Sequence, residues 1–412
     1  MKILFFVGEF PKLSQTFILN QMTGFIDAGH DVVILAKKGE SGRKVHEDVV
    51  KYHLMDKVIY YGDRRQNSKI AKGAGFLSGL VRHAAGRLFK EGYTGRASIK
   101  DLIKYPNLIL LIRKLNQVDL TDVDIIHAHF GPNGILAQKC IELGLLKGRL
   151  FTTFHGYDML RYVKQKGENV YRELFRSDCT LLPISRFWGR RCLELGAVPE
   201  KLIVHHMGID VDKFEYCPAP DSRVIQIVTA ARFVEKKGLE YGIRAVGRLI
   251  REGAPVRYLI VGGGPLEYKL RRIISELGLS DQIRLPGWKT QDELIDIMRE
   301  THIILAPSVT GSDGDMEGIP VQLMEAMAMG KIVISTRHSG IPELIHHRIN
   351  GFLVDEKDID GLRQMISEVI SSRSIWGTIS ENARQTVIDE FNIKSLNTRL
   401  LKLFDQTRMH QR

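Results

Sequence analysis

Apolar residues in this chain fall in short runs that alternate with segments of helical period. Residues 2–7 and 31–36 are such runs, the pattern of strands buried on both faces of a parallel sheet. Between them, residues 14–28 place apolar side chains at helical spacing, with Ser14 a candidate N-cap. Strand-like runs continue at 124–130, 150–154, 180–184 and 202–206. The pattern restarts in the second half, predicting strands at 224–230, 257–261, 283–285, 302–306 and 331–335. Helices are predicted between them at 238–251, 266–277, 291–299 and 321–329. Such alternation predicts an α/β chain of doubly wound parallel sheets, and the restart predicts two of them. The expected units are 1–216 and 217–390, joined near Cys217-Pro218-Ala219-Pro220-Asp221-Ser222, with a terminal helical segment at 391–412.

The length of 412 residues suits two domains. No apolar run approaches the roughly 20 residues that span a bilayer. The N-terminal run is short and is followed at once by Glu9, Pro11 and Lys12, so it reads as a first strand and not as a signal peptide. Cys140, Cys179, Cys192 and Cys217 lack paired metal spacing and point to a reducing compartment. The net charge of +11 is concentrated: Ala36 to Lys114 holds 18 lysines and arginines against 7 acids, so the rest of the chain is balanced. That stretch suits an anionic membrane surface or a lipid-diphosphate, or is simply a solvated insertion. It has few aromatics and no nucleic-acid motif, which argues against a nucleic-acid partner.

Candidate chemistry clusters in the second half. Glu317 and Glu325 have seven residues between them, with Pro320 suited to the first turn of a helix. Eight residues of helix span about 12 Å, and free N–H groups at Gly318, Ile319 and Val321 would face an anion. Arg232 and Lys237 follow the first strand of the second unit and could converge on one anion such as a leaving diphosphate. Lys236 is expected to face away. Gly262 and Gly264, in Gly-Gly-Gly-Pro after a strand, serve either close ligand approach or a tight turn; the pattern is not a dinucleotide fingerprint. Gly8 ends the first strand, where an open α/β sheet places a ligand loop, and Ser14, Gln15 and Thr16 follow as candidate contacts. His127 and His129 share one strand face without further metal ligands, which favours packing. His155 and Asp158 occur in His-Gly-Tyr-Asp, with Asp158 a candidate helix cap.

Taken in order, His-Gly-x-Asp, Arg…Lys-Gly, Gly-x-Gly-Pro and Glu-x7-Glu resemble the retaining GT-B glycosyltransferases of family four, from Gly8 to Pro342-Glu343. The Phe-Pro…Ser-x-Thr-Phe segment after the first strand resembles the subgroup of bacterial exopolysaccharide assembly, including colanic-acid-type pathways. Many family members carry two adjacent glycines there; this chain has only Gly8 before Glu9. The resemblance implies two Rossmann-like domains facing across a cleft, with the last helix crossing back to the first domain. The acceptor would bind the first domain and a UDP- or GDP-hexose the second. Glu317 would meet the sugar hydroxyls and Glu325 the ribose, while Arg232 and Lys237 hold the diphosphate and His155 lies at the donor sugar. Gly8, Gly262, Gly264, Gly318, Ile319 and Val321 would line the nucleotide. Transfer by front-side attack needs neither a strong general base nor a metal, and Asp313-Gly314-Asp315 is then loop structure. The implied acceptor is a lipid-linked saccharide at the inner face of the membrane. A nucleotide-sugar epimerase and a non-catalytic GT-B scaffold are the rival readings.

Overall fold

The computed structural model describes residues 1–12, 15–39, 45–62 and 99–409. Ser14 and much of the basic stretch lie outside them. Two six-stranded sheets organise the chain. The first comprises β1 (Lys2–Glu9), β2 (Asp31–Lys38), β3 (Val58–Tyr60), β4 (Ile125–His129), β5 (Arg149–Phe154) and β6 (Thr180–Pro183). The second comprises β7 (Ile225–Ala230), β8 (Val256–Val261), β9 (Ile283–Gly287), β10 (Ile303–Ala306), β11 (Ile332–Thr336) and β12 (Phe352–Val354). Every recorded strand pair is parallel. The spatial orders are β3-β2-β1-β4-β5-β6 and β12-β11-β10-β7-β8-β9. Each sheet therefore reverses direction of winding once, beside its own first strand. The crevices open at the C-terminal ends of β1 and β4, and of β7 and β10.

Burial on both faces explains the runs. Ile3, Leu4, Phe5 and Phe6 are all fully buried, alternating between two core clusters on either side of the first sheet. The helices used below are α1 (Thr16–Asp27), α2 (Gly131–Glu142), α3 (Arg186–Glu194), α4 (Leu239–Arg251), α5 (Glu267–Leu277), α6 (Gln291–Arg299), α7 (Val321–Ala328), α8 (Ile341–Leu344), α9 (Trp376–Glu390) and α10 (Ile393–Met409). Their apolar stripes cover the sheet faces; α4, for example, buries Leu239, Ile243, Val246 and Leu249.

Residues 202–206 do not make a strand of their own. Ile203 and His205 donate to Leu181 and Pro183 of β6, but only Leu202 bridges it before the chain leaves for the second domain. The return crossing runs beside this exit. Ile209 N–H donates to Phe391 O and Ile393 N–H to Ile209 O, each at 2.9 Å. From there α10 packs against α1, and Phe404 is fully buried against Phe25, Phe151 and His127.

Candidate active site

The candidate residues lie where the two switch points direct them. β7 ends at Ala230, and Arg232 follows as an exposed side chain with no recorded side-chain partner among the described residues. Its loop is pinned from behind: Ala231 N–H donates to Val261 O and Phe233 N–H to Gly263 O, both at 2.9 Å. Gly262 has φ +132°, and a Cβ there would lie 2.0 Å from Ala231 O. Gly264 likewise presses on the backbone of Phe233. These glycines thus let two loops pack together, which answers the turn side of the sequence reading. The indole of Trp288 lies over Gly263 and is 67% exposed.

Glu317 is reached by the loop after β10. It is 8% exposed, with Lys237 Nζ at 2.8 Å and Lys236 Nζ at 3.3 Å. Lys236 therefore does not face away. It is also paired to Asp315 at 3.2 Å and donates to Met316 O at 3.1 Å, because a short 3-10 turn at Glu235–Lys237 aims both lysines at the β10 loop. Burial alone would raise the Glu317 carboxyl, but the two ammonium groups overcome it and bring it down to about 2. Its backbone is held as firmly. His338 Nε2 accepts the Glu317 N–H at 3.0 Å, and Ser339 Oγ donates to Glu317 O at 2.7 Å. Since Nε2 accepts, Nδ1 carries the proton and donates to Glu356 at 2.6 Å. His338, Ser339 and Glu356 come from sequence-distant loops, and nothing in their local pattern marked them.

Lys237 is thus engaged by Glu317, whereas Arg232 is not. Asp313 accepts the N–H of Asp315 within its own loop. Among the described residues no group of three His, Cys, Asp or Glu side chains could hold a metal ion.

Glu325 is in the second turn of α7, and its side chain leans back toward the helix start. Gly318, Ile319 and Val321 bring their backbone to that start. Pro320 is the N-cap and no side chain caps the helix. Burial pushes the Glu325 carboxyl up to about 7, and no side-chain partner is recorded for it among the described residues. Hydroxyl donors of a ligand would complete it.

The first domain contributes the C-terminal ends of its own strands. His155 follows β5 and is half-buried; burial lowers it to about 3, so it is a neutral imidazole at physiological pH. Its Nε2 lies 3.1 Å from His129 Nδ1. His127 and His129 are fully buried and packed ring to ring at 4.3 Å, as core groups. Contrary to the expected capping role, Asp158 leaves the helix that follows it, Arg161–Lys166, without a side-chain cap. Its carboxylate accepts N–H groups of His155, Gly156 and Gly131, tying the His155 loop to the start of α2. Gly8 faces Asn133 of α2, 3.9 Å from where its Cβ would be.

The two sets meet. Met316 packs on the first-domain core, and a Cβ on Gly318 would lie 3.0 Å from Ile184 and 4.0 Å from His155 O. Beside this contact is a cavity of about 550 Å³, lined by Lys164, Glu168 and Arg191 from one domain and Gly311, Ser312 and Asp313 from the other.

Comparisons agree with this architecture. The chain matches the family model Glycosyltransferase Family 4 over residues 14–213 and Glycosyl transferases group 1 over residues 218–409. It is 39% identical to WcaL of Salmonella typhimurium, provisionally named a colanic acid biosynthesis glycosyltransferase, over 98% of this chain and 99% of that one. It is 37% identical to the amylovoran biosynthesis glycosyltransferase AmsK of Erwinia amylovora, over 95% and 96% of the two chains. Anabaena HepE in complex with UDP shares the fold at TM-score 0.74 and 16% identity, over 98% of this chain and 100% of that one. The chain therefore belongs to the family four, group 1 glycosyltransferases, and its paired sheets are their GT-B fold.

Proposed function

We propose that this glycosyltransferase moves a hexose, with retention, from UDP- or GDP-hexose to a lipid-linked saccharide in exopolysaccharide assembly. The observation that carries the reading is the pairing of an ionised, buried Glu317 with a protonatable Glu325, which has no recorded side-chain partner among the described residues, at the switch point of the second sheet. Colanic acid and amylovoran in the relatives' names support the pathway class, and UDP on HepE supports a nucleotide donor.

In this reading Glu325 accepts from the ribose hydroxyls, and the free N–H groups at the start of α7 meet the diphosphate. Arg232 approaches the same diphosphate from the end of β7. As the bond between the sugar C1 and the phosphate oxygen breaks, negative charge grows on that oxygen, and a fixed guanidinium stabilises the transition state more than the ground state. The acceptor hydroxyl oxygen forms the new bond to C1 on the same face, and its proton passes to the departing phosphate. Glu317 holds sugar hydroxyls while its charge is balanced by Lys236 and Lys237. His155 stays neutral, so it does not oppose positive charge developing on the sugar ring. The reading needs no metal. Among the described residues no helix is long and apolar enough to cross a membrane. We place the enzyme in the cytoplasm, with the basic stretch resting on anionic lipid.

The test is transfer from UDP- and GDP-hexoses to a lipid-linked acceptor in anionic or neutral vesicles, with and without EDTA. One donor should give an α-configured product, by the proton spectrum of the new anomeric centre, unaffected by EDTA and faster on anionic vesicles. Arg232→Ala should lower turnover by about 10²–10³-fold. Inverted product, epimerised donor or no turnover with any donor would overturn the reading. Equal rates on both vesicles would remove its membrane part.

A further inference from the structure

We infer that Glu343 latches the two domains together, and that its segment couples domain closure to the placement of Glu317. Glu343 belongs to α8 of the second domain, yet its carboxylate accepts the N–H groups of Arg186 at 2.8 Å and Phe187 at 3.0 Å. Those are the first two residues of α3 in the first domain. The third N–H, of Trp188, is taken by Ser185 Oγ at 3.2 Å. One helix terminus is thus capped partly by its own chain and partly by the opposite domain, with the helix dipole favouring the carboxylate.

The same carboxylate reaches the hinge. Glu343 Oε2 lies 3.0 Å from His206 Nε2, and the His206 ring packs at 5.0 Å on Phe391, beside the return crossing. The Glu343 side chain is 13% exposed, so this grip is largely shielded from solvent. Burial opposes its charge, but His206 and the two backbone N–H groups prevail and keep the carboxyl below its ordinary range. The contact is close enough that a Cβ on Gly340 would lie 3.0 Å from Ser185 Cβ.

Closure reaches Glu317 through a few residues. His338 and Ser339 hold both backbone polar groups of Glu317, and Glu343 follows four residues after Ser339. Separating the domains breaks the bonds of Glu343 and withdraws Gly318 from His155 O. Arg232, Glu325 and the start of α7 all belong to the second domain and need no latch to bind a nucleotide. The sugar end, shared with His155, does need it. This consequence rests on the donor placement proposed above, whereas the latch itself does not.

The experiment compares the full chain with Glu343→Ala and Arg186→Pro. Proline suits the first helical position, and Ser185 before it is already extended at ψ 162°, so this variant deletes one latch bond while sparing α3. Small-angle scattering without ligand should show both variants more extended than the parent. UDP or GDP, used as probes, should bind within about twofold of the parent affinity, while transfer falls by up to about a hundredfold from lost alignment. Scattering that superimposes on the parent's would overturn the latch whatever the activity. Extension with unchanged transfer would overturn the coupling to Glu317. If Glu343→Ala loses its fold, Arg186→Pro decides the question. A parent that binds no nucleotide and transfers nothing would sink the proposed function, while scattering would still decide the latch.

Discussion

At the residue scale, the two glutamates of one motif are electrostatic opposites. Glu317 has two lysines and is ionised; Glu325 has no recorded side-chain partner among the described residues, and burial pushes its carboxyl up to about 7. The sequence made the pair legible as a spacing, but not this division, which depends on Lys236 turning inward. It also left His338 and Glu356 unseen, because their roles arise from loops brought together by tertiary packing. The Glu325 asymmetry has a measurable consequence. Its folded value lies above the ordinary 4.5, so the free protein binds more protons than the unfolded chain between those values and loses stability as pH rises through them. A ribose that donates to the carboxylate favours the ionised form. Nucleotide affinity should therefore fall as pH drops below about 7, by at most about tenfold per unit. Glu325→Gln removes this dependence and leaves only the titration of the phosphates. Calorimetric titration of both proteins from pH 5.5 to 8 checks it, and parallel pH profiles would refute the ribose role.

At the element scale, periodic segments and the short apolar runs of β6, β9 and β10 were readable, while β3 and β12 were not. The helix expected at 291–299 is α6 to the residue, helped by a Thr290–Glu293 capping box. β3 and β12 have three residues each, too few to show a period, and are fixed by pairing with β2 and β11. The joint between β7 and α4 shows how an element boundary serves the site. Gly238 has φ +59°, and a Cβ there would lie 1.8 Å from Pro307 O. Only glycine lets this loop close on the β10 loop and so bring Lys237 to Glu317. Gly238→Ala should cost at least about 2 kcal/mol, from left-handed strain and the displaced backbone. It should also weaken binding of the donor sugar, since Lys237 moves with it and Glu317 loses its partner. Denaturant midpoints and the difference in affinity between nucleotide-sugar and free nucleotide read the two effects, and unchanged values in both would show that the loops are not held by this contact.

At the scale of the whole molecule, the chain crosses between domains twice, and the second crossing makes each domain depend on the other. The two-domain plan was legible because the strand–helix alternation restarts. The physical dependence was not, because it lies in where α10 packs and not in its own pattern. Phe404 is fully buried between Phe25, Phe151 and His127, so the last helix of the sequence completes the first core of the fold. Unfolding of the first domain must therefore release a helix anchored, through the Ile209–Phe391–Ile393 hydrogen bonds, to the second. The two domains should melt as one cooperative unit despite having separate sheets. Phe404→Ala should destabilise that unit by about 3–5 kcal/mol, the usual cost of emptying a buried aromatic site. Scanning calorimetry reads both: a single transition that shifts intact to lower temperature is expected. Two resolved transitions in the parent, or a shift confined to one of two, would mean that α10 is a docked appendage and that the crossings do not transmit stability between the domains.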